Sequence, residues 1–261
     1  MKHRWLAVAG LVLAAMPLSA AFLDAPDVPY TNLPYNGRFT FVRLRFTPSY
    51  WGPGPYSWGL DLKWNHDYPR GENHFMKIVD ELTDIEPNRD GGNILSMDDP
   101  ELFKYPWAYL CEVGYWTITE REAEGLRAYL LKGGFLVVDD FIEDPWAGMP
   151  AHWQWDNFET QMSKVLPGAR FVKLDVSHPI FDSFFHIETL EFEHPNYPEL
   201  KPVYYGIFED NDPGKRLMVI ANYNHDIGDY WEWSDMEWIP IELSNEAYKL
   251  GVNYVIYGMT H

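Results

Sequence analysis

Along the chain, short runs dense in β-branched and aromatic residues alternate with stretches in which apolar residues recur every three or four positions. The runs Phe39 to Phe46, Asn93 to Met97, Trp107 to Val113, Phe135 to Phe141, Arg170 to Leu174, Val203 to Phe208 and Leu217 to Tyr223 read as strands. Helical spacing is clearest over Glu72 to Leu82, where Phe75, Ile78, Val79 and Leu82 share a face. It recurs over Glu120 to Lys132, with Ala123, Leu126, Tyr129, Leu130 and Leu131. Thr119 followed by Glu122 predicts a capping box at the start of that second helix, and Gly133-Gly134 predicts its end. Two more helices are expected over Trp155 to Leu166, stopped by Pro167-Gly168, and over Ser244 to Tyr257. Parallel neighbours need a crossover connection, usually a helix, so this alternation predicts an α/β fold with a mostly parallel sheet and helices on both faces. Phe135 to Val138 is apolar without alternation, as a central strand should be.

The start of the chain follows a different pattern. Lys2, His3 and Arg4 form a basic start, Trp5 to Leu18 an apolar run, and Ser19-Ala20-Ala21 a group of small residues, so residues 1–21 read as a secretory signal peptide. The apolar run is about fourteen residues and includes Pro17, whereas a membrane-spanning helix needs about twenty. No span is therefore expected after cleavage, and the mature chain is expected to be periplasmic or secreted. Residues 22–36 are proline-rich and without apolar period, as in an extended leader that lies on the domain or stays mobile. Residues 37–261 then suffice for one domain with a large core. The formal charge is −19, and loss of Lys2 and Arg4 would deepen it. Such an excess of carboxylates repels phosphate backbones and argues against nucleic acid as a partner. With Cys111 as the only cysteine, an intramolecular disulfide is ruled out; its position inside an apolar strand ahead of Glu112 suits a buried thiol.

Ligands of open α/β sheets bind beyond the carboxyl ends of the strands, which directs attention to the residues that follow each strand. The first strand leads to Tyr50, Trp51 and a Gly/Pro-rich stretch, and the third to Glu112, Tyr115 and Trp116. The Phe135 strand ends in Asp139, Asp140, Glu143, Asp144 and Trp146, and the Leu217 strand in Asn224, His225, Asp226, Asp229, Tyr230 and Trp231. Tryptophan beside carboxylate suits stacking on sugar rings or peptides together with hydrogen bonds. Trp51, Trp116, Trp146, Asn224, Asp226 and Trp231 are therefore candidate ligand-binding residues, though large aromatics also serve as anchors that pin loops to a sheet. Asp139, Asp140, Glu112 and His225 are the candidate acids, bases or nucleophile. Adjacent strand residues face opposite ways, so only one of Asp139 and Asp140 is expected to face the cleft. The histidines, His66 among them, lack metal-ligand spacing, and no zinc site or cofactor is expected; a divalent cation held by oxygen ligands is the remaining option. No GxSxG elbow, phosphate loop or dinucleotide fingerprint occurs.

Several stretches carry a resemblance: FTFVRLRF at Phe39 to Phe46, MDDPELFKYPWAYL at Met97 to Leu110, LRAYLLKGGFLVVDDF at Leu126 to Phe141, SHPIFDSFF at Ser177 to Phe185 and LGVNYVIYGMT at Leu250 to Thr260. Together, over roughly Gly37 to His261, they resemble the bacterial family called domain of unknown function 4159. The resemblance implies a class I glutamine amidotransferase-like, flavodoxin-like fold. True amidotransferases carry a Gly-x-Cys-x-Gly elbow after a central strand; here Asp139 or Asp140 stands where that cysteine would be, and no elbow glycines flank it. Cys111 falls one strand earlier, on the strand that corresponds to the oxyanion site. The resemblance thus implies a remodelled site or a pure binding surface. With the aromatic and acidic edge, the expectation is an envelope-associated domain that binds a carbohydrate, a peptide or an envelope protein, or alternatively a carboxylate- or metal-dependent hydrolase acting on a glycan or peptide.

Overall fold

The computed structural model describes residues 30–49, 61–89, 91–145, 147–237 and 239–261. The expected signal peptide, residues 22–29 of the expected leader, Trp51 and Trp146 lie outside the described residues.

Five strands run parallel: β1 (Val42–Leu44), β3 (Asn93–Leu95), β4 (Trp107–Cys111), β6 (Phe135–Phe141) and β9 (Leu217–Tyr223). Two further strands, β8 (Val203–Phe208) and β7 (Val172–Lys173), extend the β9 edge in antiparallel pairing. The seven-stranded order is β3-β1-β4-β6-β9-β8-β7. Its parallel part is consistent with a flavodoxin-like arrangement, in which the order reverses between the first and third strands. That reversal lies here between β1 and β4. A small antiparallel pair, β2 (Thr47–Pro48) with β5 (Trp116–Thr117), stands apart.

Burial explains why β4 and β6 are central. All five residues of β4 are buried, and so are six of the seven in β6, Asp140 being the exception. One face of the sheet packs Val42, Leu44, Ala108, Leu110, Leu136, Val138 and Val219 against α2 (Glu120–Leu131) and α3 (Trp153–Val165). The other packs Phe41, Trp107, Tyr109, Phe135, Val137 and Ile220 against α1 (Arg70–Leu82), α4 (Ile227–Glu232) and α5 (Ile241–Thr260). The capping box at the start of α2 is present, Thr119 Oγ1 accepting from the Glu122 amide at 3.2 Å while the Glu122 carboxylate accepts from the Thr119 amide at 2.9 Å. No helix among the described residues is long and apolar enough to cross a membrane.

Strand β3 forms one edge of the sheet, and the end of the leader covers it. The Asn93 and Leu95 main chains pair with β1, which turns the Ile94 amide and carbonyl outward. Asn32 takes both with its side chain, accepting from the Ile94 amide at 2.8 Å and donating to its carbonyl at 3.0 Å. Asn93 answers by holding the main chain of Leu33.

Candidate functional site

The carboxyl end of β6 contains an extra residue. Val138 pairs with Ala221 and Phe141 with Tyr223, so three steps along β6 match two along β9, the register of a β-bulge. Asp140 takes up the difference in a left-handed conformation, φ 54°. The bulge separates the neighbouring acids by depth: Asp139 goes into the interior and Asp140 onto the rim.

Asp139 is wholly buried and fully partnered. Its Oδ2 accepts from the Tyr109 hydroxyl at 2.9 Å and from the amides of Ile227 and Gly228 at 2.9 and 3.1 Å; its Oδ1 accepts from Asn222 at 2.9 Å. Tyr254 donates in turn to Asn222 at 3.0 Å. Burial pushes the Asp139 carboxyl up to about 6, against the pull of those donors. The group joins β4, β6, β9 and the first turn of α4, and has no lone pair directed at solvent chemistry.

The rim is assembled from three segments. Glu112 ends β4 in a left-handed turn, φ 52°, and stands beside Asp140. His66, from the segment ahead of α1, is bracketed by carboxylates: Nε2 lies 2.9 Å from Asp61 and Nδ1 2.9 Å from Glu112, with Asp140 3.8 Å away. Burial works against charge on this imidazole, but the bonds to Asp61 and Glu112 outweigh it and hold the ring protonated up to about 11. Lys63 lies 2.8 Å from Asp61 and 3.4 Å from Glu112, its ammonium over the Tyr115 ring. Burial, then Glu112, push the Asp140 carboxyl well above its ordinary range. Lys63, Asp67, Glu112, Asp140 and Asn224 all have positive φ, and such strain in non-glycine residues concentrates where side chains are held for a purpose.

Beneath the rim, Arg43 of β1 holds the loop in place. It is buried, pairs with Glu72 of α1 and donates to the Trp64 carbonyl at 3.1 Å. Cys111 Sγ lies 3.0 Å from the same guanidinium and is buried, and that burial pushes its thiol well up. It is a structural thiol without access to a substrate.

Other sequence candidates occupy different places from those expected. Trp116 is buried and packs on Phe158 under α3, while Trp231 stacks on Phe75 at 4.3 Å and donates to the Ala247 carbonyl. Both are loop anchors with no face for a ligand, because the short helix α4 and the β5 pairing turn them inward. His225 is also buried, among Phe192, Tyr204 and Tyr230, and burial brings it down to about 3. It supplies only its carbonyl to the rim, accepting from the Asp140 amide at 3.2 Å. Asn224 uses its side chain on the Glu143 amide and the Lys201 carbonyl, tying the β9 end to its neighbours. Of the candidates, then, the structure brings Glu112 into one group with Asp140 and Asp226 into another, Asp140 being shared by both. The sequence reading passed over Asp61, Lys63, His66, Asp67 and Glu232. The signal for most of these was their location in the connection from the first strand to α1, which opens at the same edge of the sheet.

A family model described as Domain of unknown function (DUF4159) matches residues 41–259. No curated protein matches the chain.

Proposed function

The chain belongs to the DUF4159 family, and from that premise we propose that it is an exported, envelope-associated binding domain that takes a polar ligand at the rim formed by His66, Glu112 and Asp140. The fold it uses is flavodoxin-like and related to the class I glutamine amidotransferases, without their cysteine. The observation that carries this reading is convergence. Oxygen and nitrogen atoms of His66, Glu112 and Asp140, from three separate segments, lie within 4.8 Å of one another at the end of the sheet where the strand order reverses. The rim offers carboxylates as acceptors, held in place by the His66 imidazolium and the Lys63 ammonium, which suits the hydroxyls of a carbohydrate or the donor groups of a peptide. Cystine and thiolate chemistry have no place in it, since Cys111 is buried at 0% exposure.

A hydrolase acting on a glycan or peptide is the second reading, favoured by one observation. Burial and Glu112 push the Asp140 carboxyl well above its ordinary range, and it stands in a left-handed turn at the end of a central strand, beside Glu112, the arrangement in which one carboxyl gives a proton while the other accepts one. The test is a screen of the full chain against immobilised glycan fragments and peptides, repeated with Glu112→Gln plus Asp140→Asn. The binding reading expects a ligand whose affinity falls at least about tenfold in the double variant with its unfolding temperature kept. Cleavage of that ligand by the wild type alone would move the assignment to the hydrolase. Equal binding by the double variant, or no binder at all, would refute the rim as the site.

A further inference from the structure

On the inner side of the rim Asp140 meets two more carboxylates, so that three approach one another from three elements. Asp67 comes from the loop ahead of α1, Asp140 from the bulge of β6, and Asp226 from the turn between β9 and α4; an oxygen of each lies within 4.8 Å of the other two. Asp67 is only 8% exposed, and its Oδ2 is buried with no hydrogen-bond partner. That oxygen fits against Gly228, where a Cβ would come within 2.3 Å of it. Asp226 commits its Oδ1 to the cap of α4, accepting from the Asp229 amide at 2.8 Å. The neighbouring cations are already engaged: Arg43 with Glu72 and the Trp64 carbonyl, His66 with Asp61 and Glu112. Asp229 and Glu232, on the other side of Asp67, add negative charge without supplying a donor to it.

A buried, unpartnered carboxylate facing two others is costly unless a proton or a cation relieves it. We propose that Asp67, Asp140 and Asp226 together bind one hard divalent cation, of the calcium or magnesium class. The donor set is all oxygen and has three carboxylates, the preference of hard cations, whereas zinc favours nitrogen and sulfur. The ion would border the rim and offer a ligand its open coordination positions; in this respect the inference rests on the binding reading above. Burial first, and then the charge of Asp229 on Asp67, of Glu112 on Asp140 and of Asp140 on Asp226, pushes each of the three carboxyls well above its ordinary range.

The experiment is calorimetric titration of the full chain, stripped with a chelator, with calcium chloride and separately with magnesium chloride near neutral pH. Saturable binding of a single ion is expected, weakened at least about tenfold in Asp67→Asn and in Asp226→Asn. Asparagine preserves the α4 cap at position 226 and mimics a protonated carboxyl at position 67, so both variants should unfold without metal no earlier than the wild type. No saturable heat with either cation up to millimolar concentration, or wild-type affinity in both variants, overturns the proposal and assigns the relief to a proton. The two readings fail separately: an ion that binds while no glycan or peptide does removes only the ligand assignment. A ligand that binds equally with and without chelator, alongside a silent titration, removes only the ion.

Discussion

Asp139 and Asp140 are adjacent and chemically identical, yet the bulge gives one to the scaffold and the other to the rim. Asparagine at position 139 keeps one acceptor oxygen and puts two hydrogens in place of the other, so either Asn222 or the Tyr109, Ile227 and Gly228 donors lose their acceptor. Hydrogen bonds to a charged group contribute more than neutral ones, and an orphaned buried donor adds a penalty of its own. Asp139→Asn should therefore lower the unfolding free energy by about 3 kcal/mol, whereas Asp140→Asn should leave it level or higher. Chemical denaturation of the two variants side by side tests this, and equal losses would refute the division of roles. The same reasoning recasts His66: an imidazolium with both N–H groups given to Asp61 and Glu112, it fixes those two acids in place and is unfit to act as a base.

At the scale of the element, α5 shows how closely the helical layer is fitted. Gly251 faces Phe75 of α1 and Trp231 of α4, and a Cβ there would come within 2.6 Å of each ring. Alanine is the better helix former by about 1 kcal/mol, but a methyl group forced between two stacked rings costs more, about 1–3 kcal/mol. Gly251→Ala should thus lower the melting temperature in a thermal scan, and a rise would show that the three helices can part to admit it. Strands β6, β8 and β9 are legible residue for residue from the sequence because burial on both sides or between neighbours writes an apolar run. Of the first expected strand only Val42–Leu44 forms β1, with β2 starting beyond it at Thr47, and the third stops at Cys111, because Glu112 adopts a left-handed turn that composition does not announce. The rim was half legible. Glu112, Asp140 and Asp226 follow strand ends, a position that can be read, while Asp61 to Asp67 belong to a loop without period that a buried Arg43, distant in sequence, draws under the sheet edge. Trp116 and Trp231 were placed on the rim by the same rule and lie in the core, since position in a loop says nothing about depth.

At the scale of the whole molecule, one contribution to stability, that of His194, should fall as the medium turns acidic. His194 is buried at 3% exposure, its Nδ1 accepting from the Asn196 amide at 3.1 Å, and burial brings it down to about 4. The unfolded chain takes up that proton near the ordinary histidine value of about 6.5. The folded chain refuses it until about 4, so between those values unfolding binds the extra proton and stability is lost as pH falls. His194→Asn retains an acceptor for the amide two residues on and removes the titration, so urea midpoints measured across that window should decline less steeply than in the wild type. Parallel declines would mean that His194 is already charged in the native state. A different vulnerability attends the opposite edge of the sheet, where the Asn32 amide occupies the outward main-chain groups of Ile94. Proteolytic trimming ahead of Gly37 would strip that plug and leave an unguarded strand ready to recruit a second molecule by β-addition, so that the few residues ahead of the sheet also act as the protein's safeguard against clumping.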